Sequence, residues 1–412
     1  MFFLPFRPLL ADPERAADIA APPYDVVTRQ EARHLAADRP LSFLHISRPD
    51  LEFPDTVGPH EPEVYARGAQ RLREFIAQGW LQHDCEEAFF LYRMETANGV
   101  QWGWVGVCDT RDYERGHIRR HERTRTDAED DRTRHLATLG AHTEPVWLFW
   151  DDREGWAAEF DRWAVERPLY DLTRPDGVRH TLWRITVGKE AIIAHFAATD
   201  RCYIADGHHR AAAAARLAAQ RRAETRSPVE PASYNHFLAL ICPAEQLRIQ
   251  PYNRMIRDLG RHTPETFLAA VARTFVVRPA FSPHPAAPGR VHLYLRGKWL
   301  ELSWPPLAEA DPVAALDVSI LQERLFGPIL GIVDPRTDPR LIFKGGVESA
   351  EALAAAVDRG EGAAAFSLHP ITVRQLMAVA DAGQVMPPKS TWFAPKPLSG
   401  LVIHPLDSAT AQ

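Results

Sequence analysis

The sequence is poor in lysine, in cysteine and in uninterrupted apolar runs. Only five lysines (Lys189, Lys298, Lys344, Lys389, Lys396) stand among 48 Lys and Arg together, so arginine carries nearly all the positive charge. Four cysteines, at 85, 108, 202 and 242, form no Cys-x-x-Cys pair, which argues against a disulfide framework and a zinc ribbon. All four lie in or beside apolar segments and are expected to be buried thiols of a reducing compartment. No apolar run approaches the ~18 residues that would suggest a transmembrane helix. The opening Met1–Pro8 has neither a basic region nor a long apolar stretch, so no secretory signal is expected and the cytoplasm is the expected location. A net charge of −6 without a basic tail argues against nucleic acid as a general partner. No His-Glu-x-x-His motif occurs.

What is present is an ordinary globular composition, 45% hydrophobic and 25% charged over 412 residues, enough for two or three domains. Amphipathic periodicity predicts a helix over residues 61–78, and Thr28 is placed to cap a helix over 30–37. Strand-like runs over 89–94 and 101–108 flank Asn98-Gly99 and predict a hairpin; a second is expected over 291–295 and 299–304. Further apolar strands are expected over 145–150, 181–187, 203–205 and 237–242, and loops over 222–233 and 278–289. After residue 316 helix and strand alternate. This mixture predicts an α/β fold, α+β in detail, with a mixed sheet and flanking helices. The expected division is an N-terminal portion, 1–245, and a smaller C-terminal α/β portion, 246–412.

The most informative stretch is Asp206-Gly207-His208-His209-Arg210. It follows the apolar run Cys202–Ala205 and opens an alanine-rich helix. A helix start presents unpaired N–H groups and partial positive charge to an anion. Gly207 permits close backbone approach, and Arg210 can grip a phosphate through two parallel bonds. The plainer reading makes Asp206 an N-cap and Gly207 a turn residue. His121-Glu122 sits in a densely charged region as a candidate base or ligand, or as part of a solvated loop. Met386-Pro387-Pro388-Lys389-Ser390-Thr391 sets a stiff loop before Trp392 and Phe393, with Lys389, Ser390 and Thr391 as candidate phosphate contacts; Lys396 follows. The Gly-x-x-x-x-Gly of a Walker site is missing before that lysine. Tyr24-Asp25 is either part of the same cleft, contacting substrate, or a plain turn. A metal site built from His117, His121, His208 or His209 is a further option.

These motifs, with Pro23-Tyr24-Asp25-Val26-Val27 and Thr124, occur in an order that resembles the bacterial and archaeal family called domain of unknown function 1015. Gly207-His208-His209-Arg210 is also similar to the Gly-x-His-Arg box of the ParB/sulfiredoxin fold, which includes free-serine kinases and partition proteins. That likeness implies a strand–box–helix phosphate site, ATP or ADP as nucleotide, and Mg2+. It implies phosphate contacts for Gly207, His209 and Arg210, with Asp206 in the magnesium shell. Glu122 would be the catalytic base, with His121, Asp206 and His208 beside it. The expected activity is nucleotide-dependent phosphoryl transfer to a small hydroxylated metabolite, with free L-serine as one acceptor. The alternatives are a non-enzymatic nucleotide-sensing regulator and a metal-dependent hydrolase.

Overall fold

The computed structural model describes residues 1–224, 232–305, 311–346 and 349–406. The chain folds into two compact units: Met1–Leu247 together with Pro395–Gln412, and Arg248–Ala394. Most of the loop expected over 222–233 falls on residues 225–231, outside the described residues.

The first unit is built on a nine-stranded mixed sheet. Its strands run in the order Ile118–Arg119, Cys202–Asp206, Val146–Trp150, His236–Pro243, Gly99–Asp109, Phe89–Thr96, Arg179–Ile185, Tyr170–Thr173, and Phe3–Leu4 pairs with Gly99–Asp109. Strand pairs 118–119/202–206 and 146–150/236–243 are parallel and the others antiparallel. The Asn98-Gly99 hairpin forms, with Thr96 opposite Gly99. Val146–Trp150 is apolar throughout and buried at every position, as a strand covered on both faces requires. Trp104, Trp150, Phe89, Phe196 and Phe237 fill the core, and Ala211, Ala212, Ala214 and Ala215 of helix His208–Glu224 pack into it. Their small side chains let the helix lie close to the sheet. Helix Thr126–Leu139 packs against it and ends at Gly140, which has φ +67°. A smaller four-stranded sheet sets Val402–Pro405 between Leu9–Ala11 and Ala141–His142, so residues after 395 are threaded into the first unit.

The second unit carries a six-stranded sheet in the order Val276–Pro279, Lys298–Ser303, Arg290–Leu295, Ala364–Leu368, Tyr252–Ile256, Leu341–Gly345, all pairs antiparallel. Helices Pro264–Val271, Ala350–Asp358 and Val373–Asp381 accompany it. The short α-helix Asp317–Leu321 continues as a π-helix over Gln322–Phe326.

One expectation fails outright. Cys108, Cys202 and Cys242 are buried, but Cys85 is exposed, because it lies in the turn between strands rather than within an apolar strand.

Candidate functional site

The strand Cys202–Asp206 pairs with Val146–Trp150 through an irregular register between Ile204 and Asp206. Such a bulge bends the strand and re-aims its last side chain. Gly207 then turns the chain at φ +94°, a conformation side chains rarely adopt, and a Cβ there would stand 3.0 Å from the Arg210 guanidinium. The helix begins at His208.

At this junction Asp206 holds two cations. Its Oδ2 accepts from Arg210 Nη2 at 2.6 Å, and its Oδ1 from Lys396 Nζ at 2.6 Å. Arg210 also donates to the Pro145 carbonyl and lies 3.7 Å from Asp25. Burial alone would raise the Asp206 carboxyl, but Lys396 and Arg210 override it and hold it well below the usual carboxylate range. Burial likewise opposes charge on Arg210 and Lys396, yet Asp25 and Asp206 keep both protonated more firmly than usual.

Asp25 thus lies close to Arg210, and Tyr24 lines a cavity with it. Tyr24 donates its N–H to Glu144 Oε1 at 3.1 Å, and its ring lies under Arg132 at 4.1 Å. An open cavity of about 270 Å³ lies beside Tyr24, Asp25, Arg48, His60 and Arg132. A second and much smaller one, of about 40 Å³, shares Tyr24 and Arg132 and reaches Glu144 and Arg210.

At the same helix start, His121 and His208 are buried and meet edge to face with ring centroids 4.5 Å apart. Burial lowers His121 to about 4, and it lowers His208 well below the ordinary imidazole value, with His121 adding to the effect. Both rings are neutral near pH 7. His208 Nδ1 lies 3.8 Å from Glu122 Oε2, and Glu122 is largely exposed. His209 Nε2 accepts from the Arg125 N–H at 3.2 Å. His117 lies apart from the other histidines, on Asp112 at 2.8 Å. Among the described residues no group of three His, Cys, Asp or Glu could hold a metal ion. Asp206, with a cation on each oxygen, does not fit direct coordination of magnesium, which would place a third positive charge against the same carboxylate.

The stretch 386–396 divides between the units. Lys396 belongs to the first, and Lys389, Ser390 and Thr391 to the second. In the second unit, buried Arg254 donates to the Lys389 carbonyl at 2.8 Å, Lys389 takes φ +54°, and the Ser390 hydroxyl donates to the Pro387 carbonyl at 2.7 Å. Trp392 and Phe393 pair with Gln250 and Ile249.

Glu144 and Ser399 carry no motif in the sequence that marks them as site residues. Ser399 donates to Glu144 Oε1 at 2.9 Å. The available signal was Glu144 itself, a lone carboxylate set directly before the apolar strand Val146–Trp150.

A mixed α/β unit with a charged cluster at a strand–glycine–helix junction is the class these observations define. The chain belongs to the family described as protein of unknown function (DUF1015), whose model matches residues 3–319. No curated protein matches it. Among solved structures it is similar to a conserved hypothetical protein from Pyrococcus furiosus, at 13% identity and TM-score 0.35, covering 72% of this chain and 92% of that one. It is also similar to a free serine kinase in complex with AMP, at 12% identity and TM-score 0.33, covering 70% and 86%. A third is C-terminally truncated SbnI from Staphylococcus aureus, at 10% identity and TM-score 0.37, covering 72% and 85%.

Proposed function

We propose that this chain is a nucleotide-dependent phosphotransferase acting on a small hydroxylated metabolite. The observation that carries the reading is the Asp206 clamp. It holds Arg210 and Lys396, one on each carboxylate oxygen, at the start of a 17-residue helix and beside a glycine that leaves the backbone bare. Phosphoryl transfer asks a protein mainly for positioning and for cations on the transferring group. Arg210 supplies a fork and Lys396 a point charge, and both are fixed before any ligand arrives. His209 and the Gly207 backbone line the same approach.

In the reaction, the acceptor oxygen attacks the terminal phosphorus of the nucleotide and the bond to the leaving phosphate oxygen breaks. The acceptor's proton passes to a carboxylate. Glu122 is the proposed base, and neutral His208 beside it orients the carboxylate. Tyr24 and Asp25 face the acceptor. No step is assigned to a metal.

The test begins with thermal shifts against ATP, ADP, CTP and pyrophosphate, with magnesium, because a ligand of the folded state must raise its stability. Phosphorus NMR then follows transfer from the best nucleotide to a panel of alcohols that starts with L-serine. Transfer is expected to vanish in Arg210→Ala while the protein stays folded. Wild-type turnover in that variant would sink the assignment. Nucleotide binding without transfer to any acceptor would favour the sensing regulator.

A further inference from the structure

The small cavity of about 40 Å³ is lined by Tyr24, Arg132, His135, Glu144 and Arg210, among others. Its positive charges already have carboxylate partners. Arg132 sits on Asp131 at 2.6 Å, and Arg210 on Asp206 at 2.6 Å with Asp25 at 3.7 Å. His135 carries no charge near pH 7, because burial, with Arg132 adding, lowers it to about 3. His142 is likewise held neutral by burial.

Glu144 stands differently. It is 5% exposed. Its Oε1 is satisfied by two neutral donors, the Tyr24 N–H at 3.1 Å and the Ser399 hydroxyl at 2.9 Å. Its Oε2 is buried with no hydrogen-bond partner. Arg210 and Arg132 act on it only at longer range, and burial, the largest influence, raises the carboxyl. A carboxylate buried without a partner is costly, and the cost is relieved by a proton or by a cationic donor. The carboxylate oxygen in this cavity that lacks a direct cationic partner is therefore Glu144 Oε2, although the surrounding site is rich in arginine. Among the described residues no metal-binding group includes Glu144, so a metal ion is not the expected partner.

We infer that Glu144 is a receptor for a primary ammonium group, and that the cavity beside Tyr24 and Arg210 takes a small amine. Oε2 accepts an N–H of the ammonium while Ser399 and the Tyr24 backbone hold the other oxygen in place. The site goes beyond the phosphotransferase reading and does not require it. If that reading holds, the amine occupies the cavity adjoining the phosphate cluster.

The probes are ethanolamine hydrochloride, ethylene glycol, which matches it in size but lacks the ammonium, and sodium chloride at equal ionic strength. Ethanolamine is expected to raise the melting temperature of the wild-type protein with rising concentration, and the two controls are not. Glu144→Gln preserves shape and the Oε1 acceptor, and should lose the response. Glu144→Asp keeps the charge and should retain part of it. The inference is overturned if the wild type does not respond, if glycol or salt gives the same shift, or if Glu144→Gln responds like wild type. Should neither variant fold, discrimination between ethanolamine and glycol by the wild type decides. Nucleotide shifts are recorded on the same samples. Their absence would remove the phosphotransferase reading and leave the ammonium site standing or falling on its own probes.

Discussion

A double-mutant cycle on Asp206 and Lys396 tests whether the cluster is a preformed unit. Asp206→Asn leaves two cations in place and removes the charge that binds them. Breaking a buried ion pair costs about 3–5 kcal/mol. Here the three side chains keep 10–21% of their surface, and Arg210 retains Asp25 at 3.7 Å and the Pro145 carbonyl. The expected cost is therefore lower, about 2–4 kcal/mol. Lys396→Met keeps the stem and leaves Asp206 with Arg210, so about 1–2 kcal/mol is expected. Because each variant removes the same contact, the double variant should be more stable than the sum of the singles predicts, by roughly 1–3 kcal/mol. Urea unfolding followed by the fluorescence of Trp104, Trp147 and Trp150, all buried in the first unit, reads these differences. The pH dependence has a fixed sign. The folded Asp206 carboxyl titrates below its unfolded value, so its contribution is complete above about pH 4 and is lost as pH falls towards the folded value. The gap between wild type and Asp206→Asn should therefore close under acid. Strict additivity, or a gap that persists in acid, would refute the clamp.

Two further outcomes are expected. Gly207→Ala forces a side chain into φ +94° with its Cβ against the Arg210 guanidinium, so it should cost about 1–2 kcal/mol and weaken the thermal response to any nucleotide that binds wild type; an unchanged response would remove Gly207 from the site. Arg254→Lys in the second unit loses the fork that donates to the Tyr252 and Lys389 carbonyls, and should destabilise by about 1–3 kcal/mol with increased amide exchange over residues 387–391; unaltered exchange there would show that the fork does not anchor that loop.

The parts of this molecule that could be read from the sequence are those set by neighbours in the chain. Asn98-Gly99 between alternating apolar runs gives its hairpin, and Thr28 caps its helix, with Glu31 closing the capping box. The Cys202–Asp206 strand, the Gly207 turn and the alanine-rich helix follow from local rules in the same way. The mixed sheet was legible as a class, but its strand order was not, because pairing Phe3–Leu4 with Gly99–Asp109 depends on contacts a hundred residues apart. Asp206–Arg210 is an i, i+4 pair and carries a local signal. Lys396 on Asp206 and Ser399 on Glu144 do not, since 190 and 255 positions separate the partners. Val402–Pro405, four residues long, gave no periodicity to detect and yet it anchors this return.

The threading of residues after 395 into the first unit sets an order of events during synthesis. The second unit interrupts the first between Leu247 and Pro395. At roughly 5–20 residues per second, the 147 residues Arg248–Ala394 hold back Lys396 for about 7–30 s after Leu247 has left the ribosome. Throughout that interval the nascent first unit carries Asp206 and Glu144 without Lys396 and Ser399. A message truncated between residues 247 and 395 would release a protein with the nine strands of its main sheet and an incomplete charge cluster. Assembly of the cluster thus marks that translation has passed residue 399, and a single cut in the chain cannot release the second unit while leaving the first continuous.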